Sequence, residues 1–252
     1  MVATSLPGGI SDSIRSRIAA IGVLGGLAVS VPVPTGSVRW AFAVGVWVAV
    51  VGYAYARSGR DRDAETGSPR ERLGAANVVT LFRGWLLALF AGIVLASPAS
   101  VSVGVFVCAV ALDVADGAIA RRTRVTTLGT RLDGAVDALA VLVGAAATVA
   151  IGSLPPWYLL AGGAWYGYSA ALLFRARSDR PVYDLPESRL RPLIGGAQLL
   201  VVSIALWVKE SDPLLVTAAA VAMGALLVSF ARDWAAATGR LERIEGSIPG
   251  SH

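Results

Sequence analysis

Four aspartates with helical spacing are the residues of this chain best suited to chemistry. Asp113 and Asp116 are three residues apart, and Asp133 and Asp137 are four apart. Either spacing places both carboxylates of a pair on one face of an α-helix. All four lie in or beside long apolar stretches, where a charged side chain is costly and marks a candidate functional site.

Carboxylates without histidine or cysteine partners suit Mg²⁺ or Mn²⁺. The chain has a single cysteine, Cys108, and a single histidine at its last position, which excludes sites built from several of either. A metal held between carboxylates and a phosphate stabilises phosphoryl transfer. The alternative is charge pairing with the arginines of the intervening segment, which are Arg121, Arg122, Arg124 and Arg131. We favour the metal because Asp113 lies deep in its apolar stretch, away from arginine partners.

The elements that position these aspartates are predicted to be membrane helices. The chain is 55% hydrophobic and 15% charged, whereas a soluble domain has about 25% charged residues. Continuous apolar runs of nearly the length that crosses a bilayer predict helices rather than a barrel. The sequence therefore predicts an all-α integral membrane protein with about eight transmembrane helices, near residues 18–34, 40–56, 76–97, 101–118, 134–152, 157–174, 192–208 and 213–231.

The basic residues predict the topology of these helices. If the N-terminus is cytoplasmic, all 22 lysines and arginines except Arg39 and Lys209 fall on the cytoplasmic side, as the positive-inside rule requires. Both termini and the active site are then predicted to be cytoplasmic. The net charge of +5 is interpreted as attraction to anionic lipid headgroups, and no nucleic-acid partner is expected.

Small residues accompany the aspartates. Gly117 follows Asp113 by four residues, Ala120 continues that stripe, and Gly129 precedes Asp133 by four. This placement predicts room for a bulky ligand beside the metal. Close packing of the helices is the alternative explanation.

Together these residues read Asp113-x-x-Asp116-Gly117-x-x-Ala120-Arg121, then Gly129-x-x-x-Asp133-x-x-x-Asp137. The pattern closely resembles the signature of the CDP-alcohol phosphatidyltransferase family, with a segment between Arg121 and Gly129 that is one residue shorter than usual. The third apolar stretch opens with Asn77-x-x-Thr80-x-x-Arg83, which is similar to the start of the family's first core helix. Helix capping by Asn77 and snorkelling of Arg83 are the alternative explanations of that second motif.

The resemblance covers about residues 70–232 and implies an architecture. It is a six-helix phosphatidyltransferase core preceded by two extra helices, and a homodimer is the family-level expectation. The predicted domains are two N-terminal transmembrane helices in 1–57, a cytoplasmic linker and juxtamembrane helix in 58–75, the catalytic core in 76–232 and a cytoplasmic tail in 233–252.

The resemblance also implies roles for individual residues. Two divalent ions, Mg²⁺ or Mn²⁺, would be held by Asp113, Asp116, Asp133 and Asp137, and Asp137 would also be the catalytic base. The nucleotide and diphosphate contacts would be Asn77, Thr80, Asp113, Gly117, Ala120 and Arg121.

The implied reaction is the metal-dependent transfer of a phosphatidyl-type group from a CDP-linked lipid to an alcohol, with release of CMP, in phospholipid synthesis among membrane lipids. Segment 175–191 carries five arginines, and arginine suits phosphate recognition. The acceptor-binding candidates are Arg131, Arg175, Arg177, Arg180, Arg189 and Arg191, and they favour glycerol 3-phosphate or inositol phosphate as acceptor. The alternatives are an ordinary charged loop with an unphosphorylated acceptor, transfer of a CDP-linked headgroup to a lipid alcohol, and a membrane transporter.

Overall fold

The computed structural model of this chain describes residues 8–58, 73–122, 126–183, 185–186, 188, 190–208 and 210–240. These residues form eight α-helices, and a 3₁₀ turn, Pro156–Tyr158, precedes the sixth. The prediction of an all-α fold with eight helices is confirmed. The helices are α1 (Gly8–Val29), α2 (Val38–Ser58), α3 (Ala75–Ile93), α4 (Ala99–Arg122), α5 (Thr127–Ala150), α6 (Leu159–Arg177), α7 (Leu190–Val208) and α8 (Pro213–Ala237).

The composition of these helices is that of a multi-pass membrane protein. Within the described part of the chain, five helices are long and apolar enough to cross a membrane, namely α2, α3, α5, α7 and α8. Helix α4 has a shorter apolar portion, Ala99–Asp113, which ends where its aspartates begin. The prediction of a multi-pass membrane protein is confirmed.

Helices α4 and α5 extend further toward each other than the sequence predicted. Residues 119–132 were expected to form a loop, but α4 continues to Arg122 and α5 begins at Thr127. The reason at α5 is a helix cap, because the hydroxyl of Thr126 accepts a 2.9 Å hydrogen bond from the amide of Gly129. A capped first turn stabilises the helix start. All four aspartates therefore lie within helices.

Several other helix boundaries also differ from the prediction. Helix α1 ends at Val29 rather than near 34, because Pro32 and Pro34 cannot continue a helix. Helix α8 continues to Ala237 rather than ending at 231. Its start is fixed by Asp212, whose carboxylate accepts hydrogen bonds from the next two free amides.

The chain divides into two compact units, residues 1–140 and 141–252. In the first unit, α2 packs closely on α3 through glycines of α3. A Cβ atom at Gly84 would lie 2.7 Å from a methyl of Val50, and one at Gly92 would lie 3.0 Å from the Cβ atom of Ala43. Such small residues let helix backbones approach closely in a membrane. The two N-terminal helices therefore pack against α3 and belong to the same compact unit.

The second unit is held by polar contacts as well as by apolar packing. The hydroxyl of Tyr158 donates a 2.8 Å hydrogen bond to the side-chain oxygen of Gln198, and both residues are buried. Arg191 on α7 makes a bidentate ion pair with Asp233 on α8, at 2.7 and 2.8 Å. The amide of Tyr183 donates to the carbonyl of Ala237, so the segment after α6 is tied to the end of α8.

Candidate active site

A buried arginine on α3 joins the aspartates of α4 and α5. The side chain of Arg83 is 2% exposed. Its Nη1 atom lies 2.8 Å from Oδ1 of Asp113 and 2.7 Å from Oδ1 of Asp133, and its Nη2 atom lies 2.6 Å from Oδ1 of Asp137. A buried guanidinium is tolerated only when its charge and its donors are satisfied, and here carboxylates from two other helices satisfy them.

The orientation of Arg83 is also fixed by a backbone contact. Its Nε atom donates a 3.2 Å hydrogen bond to the carbonyl of Ala109, one turn before Asp113 on α4. The guanidinium is planar and presents its donors in a rigid fork. Contacts at Nε, Nη1 and Nη2 therefore hold the fork, and with it the three aspartates, in one arrangement.

The three aspartates form a group that can hold a metal ion. One carboxylate oxygen from each of Asp113, Asp133 and Asp137 lies within 4.8 Å of the others. Their side chains are 37%, 43% and 40% exposed, so the cluster borders open space rather than the packed interior. An all-oxygen donor set fits a hard divalent cation. The residues present therefore fit the predicted metal.

The contacts of Arg83 contradict one expectation drawn from the sequence. Arg83 was also not among the predicted site residues. Asp113 was expected to lie away from arginine partners, and that expectation is wrong. The snorkelling explanation of Arg83 is wrong as well, because the side chain turns into the cluster instead of toward the membrane surface. The signal that could have identified Arg83 was its spacing from Asn77 and Thr80, which puts all three on one helix face.

Asn77 lies beside the first turn of α5. It is 2% exposed, and its Nδ2 atom donates a 3.4 Å hydrogen bond to the hydroxyl of Thr126. A Cβ atom at Gly129 would lie 2.6 Å from Oδ1 of Asn77. The room predicted at Gly129 for a ligand is therefore taken by the Asn77 amide, and the close-packing explanation holds there. Capping of α3 by Asn77 is also wrong, because the helix begins at Ala75 with Gly74 as its cap residue.

Thr80, a nucleotide-binding candidate, and Arg131, an acceptor-binding candidate, are the remaining predicted site residues whose side chains the structure describes in the first unit. Thr80 is 2% exposed and its hydroxyl donates to the carbonyl of Ala76 at 3.0 Å. Arg131 is exposed. Four further candidates, Asp116, Gly117, Ala120 and Arg121, belong to the backbone of α4, and their side chains lie outside the described part. Their roles stay predictions.

The arginine-rich segment of the second unit separates into two groups. Arg191 is paired with Asp233, and Nε of Arg175 donates a 2.9 Å hydrogen bond to the carbonyl of Pro181. Arg177 and Arg180 are exposed and make no ion pair with any residue that the structure describes. Arg189 lies outside the described residues. Arg191 and Arg175 thus serve the local structure, and Arg177 and Arg180 remain as candidates for a ligand.

Comparison with known families agrees with the motifs and the aspartate cluster. A family model described as CDP-alcohol phosphatidyltransferase matches residues 73–234, a range that contains both motifs. No curated protein and no solved structure matches the chain significantly. The chain belongs to the CDP-alcohol phosphatidyltransferase family. It is an enzyme of that class, which transfers a phosphatidyl group from a CDP-alcohol to an alcohol.

Proposed function

We propose that this enzyme makes a phospholipid by metal-dependent transfer of a phosphatidyl-type group from a CDP-linked lipid to the hydroxyl of a small polar alcohol, releasing CMP. The observation that carries the proposal is the convergence of Asp113, Asp133 and Asp137, whose carboxylate oxygens lie within 4.8 Å of one another. Membership of the family supports the reaction type.

The proposed cofactor is a pair of divalent ions, Mg²⁺ or Mn²⁺. The residues that would hold them are Asp113, Asp116, Asp133 and Asp137. A bound divalent ion supplies charge neutralisation to a diphosphate and polarises its phosphorus. The oxygen-only donor set and its partial exposure support this assignment.

In this proposal Asp137 accepts the proton of the acceptor hydroxyl, and Arg83 orients Asp137. Arg83 contacts Oδ1 of Asp137 at 2.6 Å and thereby orients the carboxylate. The other oxygen, Oδ2, accepts the proton of the acceptor hydroxyl. A base must be positioned within hydrogen-bond reach of the proton that it takes, and the Arg83 contact supplies the positioning.

The proposed transfer is a single displacement. The acceptor oxygen forms a bond to the phosphorus that carries the lipid, while the bond from that phosphorus to the phosphate oxygen of CMP breaks. CMP leaves with the electron pair, and the acceptor proton passes to Asp137. Positioning and charge stabilisation account for the acceleration. Trapping of a covalent lipidyl-enzyme would contradict this sequence of events.

We further propose that the aspartate cluster, both termini and the soluble substrates are on the cytoplasmic side. The distribution of basic residues supports this orientation, because Arg15, Arg17 and Arg57 lie at one end of the α1–α2 pair and Arg39 lies at the other. The nucleotide of the donor would then be in water while its chains stay in the bilayer. A homodimer is proposed on the family resemblance, and the molecular mass in detergent tests it.

The test of the reaction is CMP release by purified protein in detergent with Mg²⁺ and CDP-diacylglycerol. We would offer glycerol 3-phosphate, inositol phosphate, inositol and serine as acceptors. Release stimulated by one of them is expected, and Asp137→Asn should lower it about 100-fold or more, the contribution typical of a catalytic base. The matched control is Glu210→Gln, because Glu210 is exposed in the segment before α8 and should leave CMP release unchanged.

The two alternatives, a reversed donor arrangement and a transporter, predict different experimental results. If ether-linked and ester-linked CDP-lipids both fail while a CDP-linked headgroup releases CMP on addition of a lipid alcohol, the donor arrangement is reversed. Solute uptake into vesicles that needs no CDP-lipid would favour a transporter. Equal CMP release by the wild type and Asp137→Asn would contradict the role of Asp137 in either arrangement.

For the acceptor we propose a phosphorylated alcohol, glycerol 3-phosphate or inositol phosphate, whose phosphate is bound by Arg177 and Arg180. Their exposure and the charge of the segment support the proposal. Arg177→Gln and Arg180→Gln should each raise KM for the phosphorylated acceptor about tenfold, since a hydrogen bond to a charged group is lost, and leave kcat within about twofold. The control is the dephosphorylated acceptor, for which KM should not change. An equal change for both acceptors would contradict the assignment.

A further inference from the structure

An apolar groove lies between α1 and α3, apart from the aspartate cluster. It has a volume of about 380 Å³. Its walls include Ile21, Leu24 and Ala28 of α1 and Val78, Phe82 and Trp85 of α3. The lining residues of each helix lie on successive turns of one face, so the groove runs along both α1 and α3.

Two tryptophans keep this groove open. The indole nitrogen of Trp47 donates a 2.7 Å hydrogen bond to the carbonyl of Gly22, and that of Trp85 donates a 3.0 Å hydrogen bond to the carbonyl of Gly25. Both rings are therefore held against α1 and cannot turn to fill the space. Their polar atoms are also used, so the surface that they present to the groove is hydrocarbon.

The depth of the groove decides what can occupy it. Trp47 lies near the middle of α2 and Trp85 near the middle of α3, and both helices are long and apolar enough to cross a membrane. The middle of such a helix lies in the hydrocarbon core of the bilayer. Several of the groove residues are open to these surroundings, since Leu24 is 66% exposed and Phe82 is 49% exposed. In these surroundings we expect a hydrocarbon chain, rather than water or a polar solute, to occupy the groove.

A positive charge lies at one end of the groove. Arg17 is four residues before Ile21, on the helical stripe that continues through Leu24 and Ala28. It is about 6 Å from Ile21 along the helix axis. Its side chain is exposed. Arg15, two residues earlier, is on a different face of α1, with its guanidinium 5.6 Å from the ring centroid of Tyr55. Basic residues at the end of a membrane helix attract anionic headgroups.

We propose that this groove binds one phospholipid of the bilayer with an anionic headgroup. One hydrocarbon chain lies between α1 and α3, and the phosphate contacts Arg17. The site is separate from the donor and acceptor sites of the transfer reaction. Arg17 at the mouth selects an anionic headgroup, and the apolar walls select a linear hydrocarbon chain.

The experiment is native mass spectrometry of the full chain after delipidation in detergent. Dioleoylphosphatidylglycerol and dioleoylphosphatidylcholine, which have the same chains, are titrated separately. The expected result is one retained phosphatidylglycerol per chain, bound about fivefold or more tightly than phosphatidylcholine. Arg17→Gln should bring the two lipids to within about twofold of each other. Equal retention of both lipids by the wild type would overturn the proposal.

Filling the groove tests the chain-binding walls. Ala28→Phe should abolish the retained phosphatidylglycerol, whereas the matched control Leu27→Phe, on an exposed position outside the groove, should keep it. Val78→Phe narrows the opposite wall and gives the same test if Ala28→Phe does not yield folded protein. Retention of the lipid by both groove-filling variants would overturn the proposal. So would a wild type that binds no lipid but forms a dimer that Ala28→Phe dissociates, since the occupant would then be a second copy of the chain.

Discussion

Three carboxylates meet one guanidinium in the described part of the aspartate cluster. Asp113, Asp133 and Asp137 each place an oxygen within 2.8 Å of the guanidinium of Arg83. The proposed ions would bind the same carboxylates that Arg83 contacts. Arg83 would then keep these carboxylates converged and oriented in the absence of ions.

Replacing Arg83 tests this relationship. Arg83→Gln should lower the stability of the protein by on the order of 2 kcal/mol, less than for a fully buried pair because the aspartates are partly exposed. CMP release should fall more than about tenfold, since the aspartates lose their orientation. Added Mg²⁺ should raise the thermal midpoint of this variant more than that of the wild type, because the ion replaces the missing charge.

Arg83→Lys is the matched control for charge. It keeps the positive charge but lacks the fork that reaches three carboxylates at once. We expect a smaller response to Mg²⁺ than in Arg83→Gln, with activity still impaired. A thermal midpoint that responds to Mg²⁺ equally in all three proteins would contradict the shared role of Arg83 and the metal.

At the scale of single residues, spacing predicted the aspartates but not the arginine. Carboxylates in an apolar stretch stand out, because their burial is costly and needs a reason. An arginine in the first half of a membrane helix has an ordinary explanation, since a long side chain can reach the surface. Which of these applies to Arg83 depends on the face that α3 turns toward α4 and α5, and this depends on tertiary packing. Gly84, next to Arg83, packs on Val50 of α2.

At the scale of the elements, the start of α5 is built around a glycine. Thr126 caps the helix by accepting from the amide of Gly129, and the same hydroxyl accepts from the side chain of Asn77. A side chain at Gly129 would enter the space of both Asn77 and Thr126. The short connection between α4 and α5 and the position of Asn77 are therefore determined together.

Gly129→Ala should disturb the site more than the helix. A Cβ atom there would lie 2.6 Å from Oδ1 of Asn77, and overpacking of this kind costs about 1–3 kcal/mol. The gain in helix propensity, about 1 kcal/mol, offsets part of that cost. Displacement of Asn77 should lower CMP release about 10- to 100-fold.

A second glycine provides the comparison. Gly104 lies within α4, and a Cβ atom there would meet no described atom within 4 Å. Gly104→Ala should therefore leave both CMP release and thermal stability unchanged or slightly improved. Equal activity of the Gly129 and Gly104 variants would show that the position of Asn77 does not matter for the reaction.

Most of the elements could be predicted because their signal is simple. Length and hydropathy give eight helices, and a membrane leaves few alternatives for an apolar stretch of about 20 residues. The ends were harder, since hydropathy stops at the first charged residues whereas the helix does not. Helix α4 continues through Asp113 and its basic end to Arg122, and α5 begins six residues before Asp133. Charges in a capped helix cost little at the membrane surface, so hydropathy underestimates both helices.

At the scale of the whole molecule, the family match and the compact units have different limits. The match begins at residue 73, whereas the first unit begins with the chain and includes α1 and α2. Trp47 and Trp85 both donate to carbonyls of α1, and the glycines of α3 receive side chains from α2 and the segment before it. This arrangement could not be predicted from the sequence, because the glycines and tryptophans identify no partner by themselves. The proposed division into 1–57, 58–75, 76–232 and 233–252 therefore follows the extent of the family match. It does not follow the compact units in which the helices pack.

A shortened chain tests the part played by the first two helices. Protein that begins at residue 73 should have a lower thermal midpoint and lose most of its CMP release, because the close-packed face of α3 is uncovered. Co-expression of residues 1–58 as a separate polypeptide should restore both properties. A shortened protein as stable and active as the full chain would show that α1 and α2 serve another purpose.

The arginine of α3 also has a consequence for how the protein is made. Helix α3 leaves the ribosome before α4 and α5, so Arg83 reaches the membrane before Asp113, Asp133 and Asp137 have been synthesised. An unpaired arginine within a membrane helix disfavours insertion by up to about 3 kcal/mol. The apolar remainder of α3 must overcome this penalty alone, or the helix must wait at the translocon for its neighbours. In the second case, insertion of α3 is coupled to assembly of the aspartate cluster during biogenesis.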